Sequence, residues 1–600
     1  MNRTNFIFSF LFLIATPFCI GQQTNEFKIH SHNDYLQNAP FWGAYDHGAN
    51  SIEVDVFLKN DTLFATHAEE DIISNHTIES LYLEPLQRAL DLRLGKQQEV
   101  QLLVDIKSET YSTLDKIVSV LESYPKIIKN PNLSFVISGN RPKPEQYQNY
   151  PNHILFDYQS LENISDQKAW DKVALISLPF HKFSQWNGKG RLTASDLQKV
   201  KAVIEKAHSY NKPFRFWATP DSKTAWKAFH DLGVDYINTD VPDLSSAYLN
   251  TLNSRVYYNT NNSAVYTPSY QYDQSKKKVK NVILLIGDGN GLTQISSSVL
   301  ANGGSTTLTQ LKSIGFIKTQ SSDDFTTDSA AAGTALATGE KTYNRSIGLD
   351  NNQQPLLNIT ELLHQHQYVS GCITTDKVVG ATPSAFYAHQ KDRDDIPGIT
   401  RDLLKSKLSL FVGGGASNFN KQELEEHHFT MLEDLDKIGS SKKDKIGVFI
   451  AENEVPSILD GRGPVLAKAT KNGLQYLDAK KQPFFLMVEA AQIDSYGHKN
   501  EVSGIISEGL DFDEAIAEAI KFADKTGNTL VVITADHETS GFTIPQGNMK
   551  TGTIEGDFTT SDHTGTMVPI FAYGPQSQEF QGVYENNEVY HKILRVLRVK

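Results

Sequence analysis

The sequence predicts an α/β chain in two parts: a closed parallel (β/α) barrel, followed by an open, doubly wound α/β sheet. Three observations predict it. In the first half, β-rich runs alternate with amphipathic helical patterns. In the second half, "KNVILLIGDGNG", "FFLMVE" and "NTLVVITADHE" are apolar runs that each end in an acid or a glycine turn, with helical patterns between them. Between the halves lies "NTLNSRVYYNTNNSAVYTPSYQYDQSKKK", which is rich in Asn, Tyr, Ser and Thr and lacks helical periodicity.

Taken in order, residues 1–21 read as a cleavable export signal. Arg3 precedes the apolar run "FIFSFLFLIATPF", and "CIG" supplies small residues for cleavage. "TPFC" makes a poor lipoprotein box around Cys19. After cleavage only Cys372 remains, so no intrachain disulfide can form, and any metal site must draw on His, Asp and Glu. With 70 acidic against 57 basic side chains and a net charge of −13, a nucleic-acid-binding surface is excluded as the main function. No later stretch is long and apolar enough to span a bilayer. Expected locations are the periplasm or the extracellular space.

The barrel is expected over residues 26–245. Its strand candidates are "EFKIHSH", "NSIEVDVFL", "TLFATH", "QLLVDIK", "LSFVIS", "HILFD", "VALISL", "PFRFWAT" and "VDYINTD", a TIM-like alternation. Residues 246–279 read as a linker or extended arm, and 280–600 as the second domain. In both architectures, side chains at the strand C-termini share one edge, where chemistry collects.

At that edge of the second domain stand Asp288, Glu489, Asp536 and His537, each just past or ending an apolar strand. Asp494 and His498 are four residues apart and would share one helical face. His563 lies in the loop "SDHTG". Four carboxylates and three histidines without a thiol suit zinc, with room for a harder magnesium ion. Ser329 opens the run "SAAAGTALATG", a small-residue helix whose first turn can hold an anion. Taken alone, Ser329 also reads as an N-cap on a buried helix.

Together, "LIGDGNG", "TDSAAAGTALATG", "ATPSAFYAHQKDR", "VEAAQIDSYGH", "TADHETSGF" and "DHTG" resemble the alkaline phosphatases from about Lys280 onward. The resemblance implies two zinc ions, one held by Asp494, His498 and His563 and the other by Asp288, Asp536 and His537. It implies one magnesium ion on Asp288, Thr382 and Glu489, Ser329 as nucleophile through a phosphoserine intermediate, and Arg393 as phosphate clamp. Two positions depart from the family pattern. Gly380, two before Thr382, stands where an acid or histidine often supports the third metal, so the sequence leaves occupancy of the magnesium site open. Ser495 follows the zinc aspartate where a larger residue is common.

In the first domain, "KIHSHNDY" ends the first strand with His30, His32, Asn33 and Asp34. Glu53 and Asp55 are two apart and face one side of a strand, where they could share a divalent ion. "LFATHAEE" brings His67, and "LLVDIK" brings Asp105 and Lys107. These runs, with "GVDYINTDVPD", resemble glycerophosphodiester phosphodiesterases and phosphatidylinositol-specific phospholipase C barrels. "HSHNDY" departs from the usual His-Arg-Gly opening. The resemblance implies His32 and His67 as acid and base, and Glu53, Asp55 and Asp105 as ligands of one Ca²⁺ or Mg²⁺.

The resulting expectation is an exported phosphomonoesterase whose barrel supplies the monoester from a diester. The alternative is a catalytically silent barrel that captures phospholipid head groups or glycans. Expected partners are small phosphomonoesters, glycerophosphodiesters or phospholipid head groups. The oligomeric state stays open, a homodimer included.

Overall fold

Alternation along the strands decides which side chains each sheet hides. The structure, a computed structural model, describes residues 27–259 and 262–599, so the expected signal segment and Cys19 lie outside the described residues. The chain divides into two compact units, the first ending at Thr251 and the second starting at Leu252.

The first unit contains β1 (Lys28–Ser31), β2 (Ser51–Lys59), β3 (Thr62–Ala65), β4 (Val100–Ile106), β5 (Leu133–Gly139), β6 (Ile154–Tyr158), β7 (Val173–Pro179), β8 (Phe214–Trp217) and β9 (Tyr236–Thr239). Eight of these are parallel staves. β1 pairs with both β2 and β9, which closes the barrel. The run "TLFATH" is different: β3 lies antiparallel on β2 as a hairpin partner. Asn60 and Asp61 both have positive φ (48° and 62°), as a two-residue hairpin turn matching the sheet twist requires.

Within the barrel, Leu103, Val136, Leu175 and Tyr236 pack into one cluster. Period-2 alternation puts Leu103 on the same face as Asp105, so the interior is apolar below and acidic above. Outside, helices such as Thr110–Glu122 bury Leu114, Ile117 and Leu121, and Glu109 caps this one by accepting from Tyr111 and Ser112 N–H.

The second unit carries a ten-stranded sheet in the order 429–431, 445–449, 408–414, 369–377, 484–490, 281–287, 529–535, 568–573, 313–318, 582–585. Its central strands are parallel, and Val568–Tyr573 runs antiparallel to both neighbours. Along Asn281–Gly287, Val282, Leu284 and Ile286 enter one core while Ile283 and Leu285 enter another. A strand apolar on both faces is what helices on both sides of a parallel sheet demand.

The stretch 246–279 is built into regular structure at its start and held to the second unit thereafter. Residues up to Leu249 finish the helix Pro242–Leu249. Val256–Tyr258 then pairs antiparallel with Thr553–Asp557. Tyr266 O–H donates to Asp524 at 2.8 Å, and Tyr270 N–H donates to the Tyr573 hydroxyl at 3.0 Å. The tyrosines that break the periodicity of this stretch are the groups that fasten it.

Candidate active sites

Ser329 is the first residue of the helix Ser329–Thr338, every residue of which is buried. Asp328 is its cap, accepting from Ala331 N–H at 2.9 Å, so Ser329 is free of that duty. Small residues let this helix lie close to its neighbour: a Cβ on Gly333 would stand 3.2 Å from the Ala385 Cβ and 3.4 Å from the Thr382 Cα. Gly339, at φ 80°, ends the helix in the left-handed conformation. Asp328 also pairs with Arg393 at 3.2 Å and accepts from Arg345 N–H at 3.0 Å. One aspartate therefore fixes both the helix start and the expected clamp.

The Ser329 hydroxyl lies 3.3 Å from the His537 Nε2. His537 Nε2 stands 3.4 Å from Asp288 and 3.2 Å from Asp536. Asp288 and Asp536 are far apart in sequence but follow adjacent parallel strands, where Gly287 pairs with Ala535. A second cluster adjoins: His498 Nε2 is 3.3 Å from Asp494, His563 Nε2 is 3.5 Å from Asp494, and the two imidazoles are 3.2 Å apart. The outer nitrogens are already committed. His498 Nδ1 bonds the Ser561 carbonyl and His563 Nδ1 the Thr327 carbonyl, each at 2.7 Å, which turns both Nε2 lone pairs inward. Thr539 bridges the clusters, donating to Asp494 at 2.5 Å and lying 3.2 Å from His537 Nδ1.

The electrostatics show a site crowded with negative charge. Burial and the charges of Asp536 and Asp494 push the Asp288 carboxyl well above its ordinary range. Burial and the Asp494 charge push Asp536 up to about 7. Burial and the nearby Asp376 push Glu489 up to about 8. Burial would also raise Asp494, but hydrogen bonds from His498 and His563 hold it well below the usual range. In return, the Asp494 bond lifts His498 to about 9. Asp288 Oδ1 and Asp536 Oδ2 are buried without a hydrogen bond, and the buried Thr382 hydroxyl lies against Glu489. Unpaired buried oxygens beside inward-facing imidazoles fit divalent cations, the N/O donors suiting zinc and the hydroxyl and carboxylates suiting magnesium.

In the barrel, Glu53 and Asp55 of β2 and Asp105 of β4 bring one carboxylate oxygen each within 4.8 Å of one another. Asp55 and Asp105 are register partners. His32 Nε2 is 3.8 Å from Glu53, and its Nδ1 lies 2.7 Å from Asp240. His67 Nδ1 is 2.7 Å from Asp55. Both histidines thus flank the carboxylates. Burial works against the His32 imidazolium, but the Asp240 bond and the Glu53 charge outweigh it and raise its pKa.

Sequence reading named His30 and Lys107 but missed the buried arginine that joins them against the carboxylates. Arg215 of β8 is buried, bonds Glu53 at 2.9 Å and touches His30, whose Nε2 also contacts Glu53 at 2.9 Å. Burial alone would raise Glu53, yet His30 and Arg215 hold it below its ordinary range. Lys107 reaches Asp55 at 3.3 Å and Asp105 at 3.2 Å. The signal for Arg215 was present in "PFRFWAT", an arginine alternating with aromatics, which turns inward when Phe214 and Phe216 turn outward. Asp55 Oδ1 is buried without a hydrogen bond, and the Asp105 oxygen that faces the cluster has only the Lys107 ammonium for a partner, so the three carboxylates could hold one ion if Lys107 swings aside.

Comparisons with known proteins follow this division. A profile described as alkaline phosphatase matches residues 279–556 and 548–599. In the first unit, an AIM6-like phosphodiesterase domain matches residues 20–98, and the glycerophosphoryl diester phosphodiesterase family matches 213–243. Alkaline phosphatase 4 of Bacillus subtilis (strain 168) is 30% identical over 415 residues, covering 54% of this chain and 90% of that protein. Alkaline phosphatase of Escherichia coli (strain K12) is 28% identical, covering 54% and 88%. The solved alkaline phosphatase of the Antarctic bacterium TAB5 is 40% identical with a TM-score of 0.52, covering 54% of this chain and all of that one, and mutants of it have been solved with Mg bound in the M3 site. Behind its phosphodiesterase-like barrel, this chain belongs to the alkaline phosphatase family.

Proposed function

We propose that the second unit hydrolyses phosphomonoesters through Ser329, with Asp288, Asp536 and His537 as one zinc site and Asp494, His498 and His563 as the other. The observation that carries this reading is the Ser329 hydroxyl, at a helix N-terminus and 3.3 Å from His537 of the first cluster. Bound zinc would supply the Lewis acidity that lowers the pKa of the serine hydroxyl, steadies the departing alkoxide and activates a water. Ser329 Oγ bonds to phosphorus as the ester P–O bond breaks, and the leaving group departs as an alcohol once protonated. Water then splits the phosphoseryl bond, returning the serine hydroxyl and free phosphate. Arg393, aimed by Asp328, presents its planar fork to two phosphate oxygens, and the helix N-terminus adds its positive field.

For the barrel, the proposal is hydrolysis of a phosphodiester such as a glycerophosphodiester, with His32 and His67 moving protons on either side of the Glu53, Asp55 and Asp105 cluster. The product would be a substrate for the second unit. Export is proposed from the character of residues 1–21, and amino-terminal sequencing of the purified chain checks it. The test of the enzyme reading supplies a glycerophosphodiester and follows free phosphate in three proteins. Ser329→Ala should accumulate the monoester, and His32→Ala should leave the diester unconsumed while still hydrolysing added monoester. Phosphate release from the diester by His32→Ala at the parent rate would make the barrel a capture module.

A further inference from the structure

The proposed phosphate clamp, Arg393, sits in a run of acids, "KDRDD", with Asp392 before it and Asp394 after it. Carboxylates on either side are an unfavourable setting for a group that must receive a phosphate, because each could take the guanidinium for itself and each repels an anion. The structure turns both of them away. Arg393 Nη1 pairs with Asp328 at 3.2 Å. Asp392 and Asp394 are gripped by Arg345, whose Nε and Nη2 donate to the two Asp392 oxygens at 2.9 and 2.7 Å, Nη2 also reaching Asp394 at 2.5 Å. The contact with Asp392 is the two-pronged fork that an arginine offers and a lysine cannot.

The backbone brings these groups together. Beyond the helix Ser329–Thr338 the chain runs beside the stretch that ends in Arg393. Ile347 and Gln390 exchange hydrogen bonds at 2.9 Å each, and Arg393 N–H donates to the Arg345 carbonyl at 2.8 Å. Arg345 N–H donates to Asp328 Oδ2 at 3.0 Å, the same oxygen that Arg393 holds. The last acid of the run is occupied elsewhere: Asp395 caps the helix Ile396–Lys405, accepting from Gly398 N–H at 3.0 Å. The backbone of Arg345 itself is costly. It holds φ at 72°, in the left-handed region where a residue other than glycine is uncommon. Glycine would make this turn without strain, so the turn gives no reason for an arginine and the side chain must.

We infer that Arg345 is a positioning residue for the phosphate clamp: by engaging Asp392 and Asp394 it keeps both carboxylates off Arg393, whose fork stays open to a phosphate. The inference rests on the phosphatase reading of Ser329 and Arg393. Arg345 and its two partners are each about half exposed or more, so their pairing adds little to stability, and its effect falls on the anion that Arg393 receives.

The experiment measures inorganic phosphate binding to the zinc-loaded full chain by calorimetry, with zinc content read by elemental analysis and a melting curve for each variant. Arg345→Gln and Arg345→Gly should keep the parent's zinc and melting temperature and bind phosphate roughly fivefold more weakly. Arg345→Lys should fall between, having the charge without the fork. The decisive variant combines Arg345→Gln with Asp392→Asn and Asp394→Asn: once the carboxylates are gone, phosphate affinity should return to the parent's. If Arg345 only stapled the loop, this variant would stay as weak as Arg345→Gln, because the staple is lost in both. Parent affinity in both Arg345→Gln and Arg345→Gly overturns the inference, and so does a combined variant no tighter than Arg345→Gln. A zinc-loaded parent that binds no phosphate would bring down the phosphatase reading itself, and this inference with it.

Discussion

The two acidic clusters differ in how their charge is balanced. In the barrel, Glu53 is held ionised by Arg215 and His30, and Lys107 lies against Asp55 and Asp105. In the second unit, Asp288, Asp536 and Glu489 are all pushed upward, and among the described residues no lysine or arginine forms an ion pair with them. One cluster carries its own cations and has room for an ion. The other is short of positive charge unless ions bind, because burying uncompensated carboxylates is costly. The lesson is that a similar residue inventory can build a self-neutralised site or a cation-demanding one, depending on what the neighbouring strands contribute.

The sharpest way to break this comparison is at the nucleophile. Ser329→Ala should lower monoesterase turnover by roughly a thousandfold or more while zinc content stays at the parent level, since in the proposed mechanism the hydroxyl attacks phosphorus and is a minor holder of ions. Near-normal turnover would refute the assignment. The next effect is a contrast in sign. Glu53→Gln should destabilise the barrel by about 3–5 kcal/mol, because it leaves Arg215 buried against a neutral partner. In the metal-free chain, Glu489→Gln should instead be neutral or stabilising, because it removes a carboxylate that burial already disfavours. Denaturant melts of both variants, with and without chelator, read this directly.

A smaller effect is the pH response of the metal-free second unit. Asp536 and Glu489, raised to about 7 and about 8, contribute stability while protonated and lose it as pH rises through those values. The chelated chain should therefore melt a few degrees lower at pH 8.5 than at pH 5.5 (order of magnitude only). Metal-loaded protein should not show this slope. The smallest expected change is Asp328→Asn, which keeps a capping oxygen but loses the charge that aims Arg393. The expectation is a roughly tenfold fall in kcat/KM with stability within about 0.5 kcal/mol of the parent. Equal losses in Asp328→Asn and Asp328→Ala would show that the cap, not the charge, matters.

The sequence by itself determined the strands. Each of the nine apolar or alternating runs in the first half became a strand, and the strand-ending acids of the second half stand where expected, because side-chain period is a local property of a pleated backbone. It determined the Asp494 and His498 pair for the same reason, since four residues are one helical turn. Tertiary structure decided the rest. That "TLFATH" is a hairpin partner, that Asp328 and not Ser329 caps the small-residue helix, and that the tyrosines of 262–279 fasten to the second unit are matters of which surfaces meet. Arg215 reaches Glu53 from a strand 162 residues away. Periodicity tells which face a residue takes, but the counter-charge it finds there is set by strand order and closure, which no local pattern encodes.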